Sequence, residues 1–295
     1  MEGPLIVDYR QYLSPEVLAF IDETLAFYPA DLDPTDWAAQ RRVYNAMAAH
    51  FHAGRPEGLQ VSDQSIAGVS VRLYGQRSKT TVLYAHGGGF VLGGLESHDD
   101  VCAEIADRTG CRVVSVDYRL APENRHPAAY KDTVAVAEAL CAEGPVILFG
   151  DSAGGTLCAA IAGTRADLGF VGQVLIYPMI GYPATGGSFD VHAHAPLLST
   201  SDLAFYADVR GGAPDDPRLI PALGDVSELP PTWLFPAECD PLCDDAVRYA
   251  DAIQGEVHLC QQDGLVHGWL RARGRSDMTR RAFDQIIDAI SHLAG

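Results

Sequence analysis

The sequence predicts an α/β fold in which helices cover both faces of a mostly parallel sheet. Short apolar runs alternate with helical patterns from about residue 80 to the end of the chain, which is typical of repeated strand–helix units. The chain has 295 residues, of which 47% are hydrophobic, and this is enough to bury one sizeable core. We therefore expect a single domain, residues 1–295, with small additions.

Two helices are predicted before the sheet. The first is SPEVLAFIDETLAFY, with Ser14 as its N-cap and Pro15 as its first residue, and the second is PTDWAAQRRVYNAMAAHF. Two strands are then predicted within QVSDQSIAGVSVRLYG, and a third in TTVLYAHGGG, where the strand ends in a glycine run. The core of the fold is expected to begin at these strands.

Strands and helices alternate in the rest of the chain. A helix capped by Ser97, with Asp99 and Asp100 in its first turn, runs to Gly110. The further strands are predicted in CRVVSVDYR, PVILFG, GQVLIYP, PTWLFPAE and EVHLCQQ. The further helices are predicted in PAAYKDTVAVAEALCAEG, AGGTLCAAIAGT and DMTRRAFDQIIDAISHLA. Sites in such a sheet form at the carboxyl ends of the strands.

One segment interrupts this alternation. Residues 183–217 are rich in glycine and proline and contain one short helical pattern near Ser201. An irregular insertion of this length is more typical of a lid than of a structural connection. Together with the N-terminal helices it predicts a small helical cap, formed by approximately residues 1–55 and 183–217, which we call the cap segments.

Composition excludes several classes of function. There are 21 Lys and Arg against 39 Asp and Glu, a net charge of −18, so binding to nucleic acid is not expected. The sequence shows neither the pattern of a secretory signal nor a run of about 18 apolar residues, so we expect a cytoplasmic protein without a membrane contact. The seven cysteines are scattered, which predicts reduced core residues.

Ser152 is the first candidate for chemistry. It lies in the sequence GDSAG, directly after one predicted strand and before a helix of small residues. This context fits the G-x-S-x-G turn that exposes a nucleophilic serine, whose sharpness requires glycine at positions 150 and 154. The alternative is a serine in a tight turn without a catalytic role.

A serine nucleophile needs a base and a carboxylate, which usually follow later strands. His267, in DGLVHGW, lies just beyond a predicted strand, whereas His258 lies within that strand and His292 within the last helix. His192 and His194 resemble a metal-binding pair but lack further ligands, so we expect loop histidines and no metal site. Asp240 is the best candidate for the acid, and its competitors are Glu238, Asp244 and Asp245.

The oxyanion of an acyl-transfer reaction needs fixed N–H donors. The run His86-Gly87-Gly88-Gly89 follows a predicted strand, and glycines let the backbone turn its N–H groups toward a substrate. A glycine-rich loop without function is the alternative. The coincidence with the Ser152 turn favours an oxyanion site.

Five motifs in order, HGGGF, DYRLAPE, GDSAGG, DPLCDDA and HGW, resemble the hormone-sensitive-lipase family of α/β-hydrolases. The likeness covers roughly residues 37–295 and is greatest to bacterial acetyl esterases. It implies an α/β-hydrolase fold, with Ser152 as nucleophile, His267 as general base and Asp240 as orienting carboxylate. It also implies an oxyanion hole formed by the N–H groups of Gly88, Gly89 and Ala153.

The resemblance implies supporting roles as well. His86, Gly87 and Asp151 would support the site, with His86 bracing the glycine loop. Arg119 and Glu123 would form a buried pair, and the bonds Ala121–Pro122 and His126–Pro127 would be cis. Phe90 and Trp269, which adjoin the glycine loop and His267, are the candidates for binding substrate.

The function implied is a serine carboxylesterase for short-acyl esters, from acetyl to butyryl, that needs no cofactor. An amidase or a deacetylase would use the same residues, and a non-catalytic receptor on this fold would be expected to lack one of them. The expected partner is a small-molecule ester. Whether the chain forms a homodimer stays open at this point.

Overall fold

The described residues form one large sheet and one separate pair of strands. The computed structural model describes residues 7–182 and 184–295. Its strands are β1 (Val61–Ile66), β2 (Val69–Tyr74), β3 (Thr81–Ala85), β4 (Arg112–Val116), β5 (Val146–Asp151), β6 (Gly172–Ile176), β7 (Thr232–Phe235), β8 (Ala237–Cys239), β9 (Val257–Leu259) and β10 (Gln262–Val266). The large sheet has the order β1-β2-β4-β3-β5-β6-β7-β9, and β8 pairs with β10. Strand β2 runs antiparallel to its neighbours β1 and β4, and the other neighbouring pairs of that sheet are parallel. The predicted mostly parallel sheet is therefore confirmed.

Ten α-helices surround these strands in the described residues. They are α1 (Tyr9–Tyr12), α2 (Pro15–Leu25), α3 (Trp37–Phe51), α4 (Asp99–Thr109), α5 (Ala128–Cys141), α6 (Ala153–Thr164), α7 (Ser188–Val191), α8 (Thr200–Arg210), α9 (Cys243–Ala252) and α10 (Asp277–Ala294). Ser14 caps α2 and Pro15 is its first residue, as predicted. The prediction that Ser97 caps α4 is wrong, because residues 95–98 form a 3₁₀ turn in which the Ser97 hydroxyl donates to the Gly94 carbonyl.

The core lies on both faces of the large sheet. Every residue of β3, β5 and β6 is buried, as expected for central parallel strands covered on both sides. Along β3, Val82 and Tyr84 pack with α4 and α10, while Leu83 and Ala85 pack with α5, α6 and α9. This alternation follows from the two-residue period of a strand.

The strand predicted over 231–238 is divided in two. Pro236 separates β7 from β8, and a proline has no N–H with which to continue a ladder. Its carbonyl accepts a hydrogen bond from the Gln262 N–H at 2.8 Å. The chain thus leaves the large sheet at Pro236 and β8 pairs in parallel with β10, a strand that the sequence did not predict.

The predicted pair of Arg119 and Glu123 does not form. Arg119 binds Asp132 of α5 at 2.7 Å, and Glu123 binds Arg41 of α3 at 2.7 Å. Both side chains are 53% exposed, so each pairs with a helix at the surface and the expected buried pair is absent. The bonds Ala121–Pro122 and His126–Pro127 are cis, as predicted.

The remaining expectations concern helices and thiols. Within residues 7–182 and 184–295, no helix is both long and apolar enough to cross a membrane. All seven cysteines are free thiols, and five of them are buried. The insertion contains α7 in addition to the one helix predicted near Ser201, which is α8.

Candidate active site

Ser152 occupies a strained turn between β5 and α6. Its backbone has φ 51° and ψ −119°, a region that residues other than glycine rarely adopt. The Ser152 N–H donates to the Ile176 carbonyl at 2.9 Å, which ties the turn to the neighbouring strand β6. The side chain is thereby presented at the carboxyl end of the sheet.

The two glycines that flank Ser152 are required by space. A Cβ at Gly150 would lie 2.4 Å from the carbonyl carbon of Gly154, and a Cβ at Gly154 would lie 1.8 Å from the carbonyl oxygen of Ala85. Both distances are far inside van der Waals contact. The steric reason inferred from the sequence for these two glycines is therefore confirmed.

His267 and Asp240 complete a chain of hydrogen bonds that starts at Ser152. The Ser152 Oγ lies 2.8 Å from His267 Nε2, and His267 Nδ1 lies 2.6 Å from Asp240 Oδ2. Asp240 is fully buried, and its Oδ1 accepts the Leu242 N–H at 2.9 Å. Because an ionised carboxylate only accepts hydrogen bonds, this contact favours the tautomer of His267 with the proton on Nδ1 and with Nε2 as the acceptor.

The competing carboxylates make other contacts. Glu238 accepts the Tyr12 hydroxyl and, at 2.7 Å, the Gly264 N–H. Asp244 accepts the Ser188 N–H at 2.9 Å. Asp245 accepts three backbone N–H groups of residues 180–182. Asp244 and Asp245 attach Ser188 and residues 180–182 to α9, and Glu238 attaches α1 and β10 to β8. None of the three side chains has a hydrogen bond with His267 among the described residues.

The glycine loop after β3 faces the Ser152 turn. Gly88 and Gly89 have φ of +127° and +61°, and a Cβ at Gly88 would lie 2.3 Å from the Leu92 carbonyl oxygen. Neither N–H donates to an acceptor in the part of the chain that the structure describes. Ala153 is the first residue of α6, so its N–H has no acceptor within the helix. Three N–H groups are thus available beside Ser152.

Asp151 braces the glycine loop from below. Its Oδ1 accepts the Gly87 N–H at 2.9 Å and the Tyr84 hydroxyl at 2.6 Å, and its Oδ2 lies 3.4 Å from His98 Nε2. Burial opposes ionisation of Asp151, but His98 and the Tyr84 hydrogen bond outweigh it and hold the pKa of this carboxyl below its usual range. Neither Tyr84 nor His98 carried a local signal in the sequence, since each reaches Asp151 only through the fold.

His86 supports the same loop. It is fully buried, its Nδ1 lies 2.8 Å from the Gly87 carbonyl, and its ring stacks on Tyr118 at 4.2 Å between centroids. Burial lowers the pKa of His86 to about 3, so the ring is neutral. Its hydrogen bond is to the glycine loop, and its ring packs against Tyr118 behind that loop.

A cavity of about 510 Å³ opens above Ser152 and His267. Helices α2, α3 and α8 of the cap segments line it, and Arg210 is the last residue of α8. Phe90 and Arg271 complete this part of the lining. Trp269 is not among the described lining residues and is 1% exposed within the core, so the structure does not place it at the cavity, whereas Phe90 lines it. Gly268 has φ +78°, and the chain turns there, so adjacency to His267 in sequence does not bring Trp269 to the cavity.

The two loop histidines differ from each other. His194 is exposed, as predicted, but His192 is half-buried and its Nδ1 lies 2.8 Å from the Tyr9 hydroxyl. Across residues 7–182 and 184–295, no group of three or more His, Cys, Asp or Glu side chains is arranged to hold a metal ion.

Comparisons with known proteins agree with this architecture. Residues 82–271 match the model of a family described by its α/β hydrolase fold. The chain is 34% identical to the esterase LipI of Mycobacterium tuberculosis over 90% of its own length and 91% of that protein. It is 30% identical to an acetyl esterase of Salmonella paratyphi B, over 86% of this chain and 85% of that protein.

A solved structure gives the same result. An esterase from the bacterial hormone-sensitive lipase family superimposes with a TM-score of 0.87 at 29% identity, over 96% of this chain and 99% of that one. The motifs, the sheet order and the two sets of relatives all lead to one assignment. The chain belongs to the hormone-sensitive-lipase family of α/β-hydrolases, and it is a carboxylic ester hydrolase acting on small-molecule esters.

Proposed function

We propose that this hydrolase cleaves esters through an acyl-enzyme formed on Ser152. The observation that carries the proposal is the chain of contacts from Ser152 Oγ to His267 Nε2 at 2.8 Å and from His267 Nδ1 to Asp240 Oδ2 at 2.6 Å. A serine hydroxyl is a weak nucleophile unless a base accepts its proton. His267 is within reach of that proton, and Asp240 fixes the imidazole in the accepting tautomer.

The reaction follows from these contacts in two halves. Ser152 Oγ bonds to the ester carbonyl carbon while its proton moves to His267 Nε2, and the carbonyl electron pair moves to oxygen. His267 then donates that proton to the leaving alkoxide, so that an alcohol departs and an ester on Ser152 remains. Water repeats the sequence against the acyl-enzyme, with His267 again accepting and returning a proton.

The oxyanion is proposed to bind the N–H groups of Gly88, Gly89 and Ala153. Support comes from their position beside Ser152 and from the absence of another acceptor for them in the described residues. Asp151 and His86 would act as positioning residues, because their contacts are with Gly87. Removal of one such donor commonly costs about 10²- to 10³-fold in kcat.

The substrates proposed are short-acyl esters, from acetyl to butyryl. The likeness to an acetyl esterase supports this range, and we propose that the cap segments close the cavity over the acyl group, since α2, α3 and α8 line it. A long apolar tunnel would add about 0.8 kcal/mol of binding for every buried methylene. Such a tunnel would make kcat/KM rise steadily with chain length. In a closed cavity, kcat/KM from acetate to decanoate is instead expected to pass through a maximum and fall, and an increase past octanoate would contradict the proposal.

Substitution of Ser152 tests the mechanism itself. Ser152→Ala is expected to lower kcat/KM for p-nitrophenyl acetate by at least about 10³-fold with an unchanged circular dichroism spectrum. The matched control is Ser65→Ala, because Ser65 is exposed on β1 and its hydroxyl is outside the cavity lining. Activity of the Ser152 variant within tenfold of the parent would refute the acyl-enzyme.

A further inference from the structure

Arg210 is a buried cation without a carboxylate partner. It is the last residue of α8, and it is only 4% exposed. Its Nη1 donates to the Leu219 carbonyl at 3.3 Å, whereas its Nη2 is buried and has no hydrogen-bond partner. The guanidinium lies 3.6 Å from the centroid of the Phe90 ring, an attractive cation–π contact that supplies no counter-charge.

The other buried arginines of the described chain are paired. Arg72 binds Asp63, Glu96 and Asp99, and Arg273 binds Asp100 and Glu104. A buried charge is costly when nothing compensates the lost hydration. Burial accordingly lowers the pKa of Arg210 to about 9, although Tyr118 and Asp216 act in the opposite direction. Arg210 therefore differs from the arginines that stabilise the fold.

The carboxylate that acts on the charge of Arg210, Asp216, is already engaged. Asp216 binds Arg218 at 2.7 Å and His126 at 3.1 Å. Its carboxylate is thus held by two cationic or polar partners other than Arg210. No salt bridge of Arg210 exists among the described residues.

Arg210 lines the same cavity as Ser152. Phe90, on which its guanidinium lies, directly follows the Gly88 and Gly89 pair. A second arginine of the wall, Arg271, donates to the Ser97 carbonyl and to the Tyr44 hydroxyl, again without a carboxylate. Two arginines without a salt bridge, Arg210 and Arg271, thus line the cavity in a chain whose net charge is −18.

The two acidic lining residues, Asp151 and Asp202, form no salt bridge with Arg210, although Asp151 interacts electrostatically with Arg271. Asp151 is bound by Gly87, Tyr84 and His98 beneath the glycine loop. Asp202 is exposed and bonds to Ser199 in the capping box at the start of α8. Arg210 lines this cavity and also a small pocket beside Asn124 and His126. It is therefore a lining arginine without a salt bridge, and the N–H of its buried Nη2 has no partner among the described residues.

We infer that Arg210 binds a carboxylate carried by the substrate, so that the preferred substrates are esters with a free carboxylate group. This inference rests on the proposed function, because it assigns the substrate class of the same site. The planar guanidinium suits a carboxylate, and a hydrogen bond between two charged groups is stronger than one between neutral groups. The carboxylate could stand on the acyl side or on the alcohol side of the ester.

Two pairs of substrates test the inference and distinguish these sides. Monoethyl succinate and ethyl succinamate have the same shape and differ by a charge on the acyl side. The second pair, 4-acetoxybenzoate and 4-acetoxybenzamide, differs by a charge on the alcohol side with acetyl as the common acyl group. In at least one pair the anionic ester is expected to have a kcat/KM about 10- to 100-fold higher. Equal values in both pairs would overturn the inference.

Variants assign that preference to Arg210. Arg210→Met is expected to abolish the ratio between the two members of the favoured pair, and Arg210→Lys to retain part of it. The matched control is Arg125→Met, because Arg125 is exposed and its side chain lies beside Gly211, directly after α8. An unchanged ratio in Arg210→Met, or a loss of the ratio in Arg125→Met as well, would overturn the role of Arg210.

Binding separates recognition from chemistry. In Ser152→Ala, calorimetry is expected to show tighter binding of monoethyl succinate than of ethyl succinamate, or of the acetoxybenzoate than of its amide. Equal binding of the two members of both pairs would refute the inference. The proposed function would still stand if the wild type hydrolysed the neutral esters. A wild type inactive on these four esters and on p-nitrophenyl acetate would refute the proposed function, and the binding comparison would still decide the role of Arg210.

Discussion

Replacing Asp240 with Asn tests the hydrogen-bond chain at its buried end. The Oδ1 atom of Asp240 accepts the Leu242 N–H at 2.9 Å, so the carbonyl oxygen of the new amide must keep this place. The amide NH₂ then takes the place of Oδ2, which lies 2.6 Å from His267 Nδ1. Because two donors cannot share that contact, Nδ1 must become the acceptor and the imidazole proton must move to Nε2.

The size of the effect follows from this change of tautomer. With Nε2 protonated, His267 can no longer accept the proton of Ser152, whose Oγ lies at 2.8 Å. Asp240 is 0% exposed, so water cannot restore the original arrangement. Loss of the accepting tautomer in a Ser-His-Asp triad costs about 10⁴-fold in kcat. This corresponds to about 5.4 kcal/mol, since each factor of ten is worth about 1.36 kcal/mol.

The assay compares two isosteric variants. The kcat for p-nitrophenyl acetate is expected to fall about 10⁴-fold in Asp240→Asn and to change only a few-fold in Glu238→Gln, with the thermal midpoint measured for both. Glu238 serves as the control because it binds Tyr12 and Gly264 and does not contact His267. A loss below tenfold in Asp240→Asn, or a larger loss in Glu238→Gln, would refute this reasoning.

Three further predictions concern stability and specificity. Gly154→Ala is expected to destabilise the fold by about 3 kcal/mol in denaturant unfolding, because the new Cβ would lie 1.8 Å from the Ala85 carbonyl oxygen, whereas Gly274→Ala enters open space and should have little effect. Asp99→Asn is expected to cost about 3 kcal/mol near pH 7. Burial opposes ionisation of Asp99, but Arg55, His52, Tyr74 and Arg72 outweigh it and lower the pKa of this carboxyl. Its contribution is therefore complete above about pH 4 and is lost as the pH falls, so the gap between the wild type and Asp99→Asn should narrow in acid unfolding curves; a constant gap would contradict this. Finally, 4-nitrophenyl acetate should be hydrolysed far faster than 4-nitroacetanilide, and comparable rates would favour the amidase alternative.

Features whose cause is local could be predicted from the sequence. The turn at Ser152 needs glycine at 150 and 154 because neighbouring backbone leaves no space, and this requirement is visible in five residues. The bounds of α6 and α10 also agree with the predicted segments. In both helices the residues that mark the ends are adjacent in sequence to the helical pattern. The cis bonds before Pro122 and Pro127 were implied by family likeness and are present.

Features that depend on the choice of a distant partner could not be predicted. Arg119 pairs with Asp132 and Glu123 with Arg41, although Arg119 and Glu123 are close in sequence. Trp269 follows His267 by two residues, yet the chain turns at Gly268, which has a positive φ. His267 lines the cavity, whereas Trp269 is buried in the core. The unpaired state of Arg210 is likewise a property of its surroundings, because no sequence pattern shows that every nearby carboxylate is already engaged.

The choice between Asp240 and Glu238 shows why strand register governs this site. Strands β8 and β10 pair in parallel, with Cys239 beside Val266. The residues that follow them, Asp240 and His267, therefore lie next to each other. Glu238 lies one step earlier and meets Gly264 instead. The pairing contains an irregularity between Gln262 and Val266, and Gly264 has φ +66°, so β10 lacks the alternating pattern that predicts a strand. A shift of the pairing by two residues would place Glu238 instead of Asp240 beside His267, so the parallel register selects which carboxylate meets the imidazole.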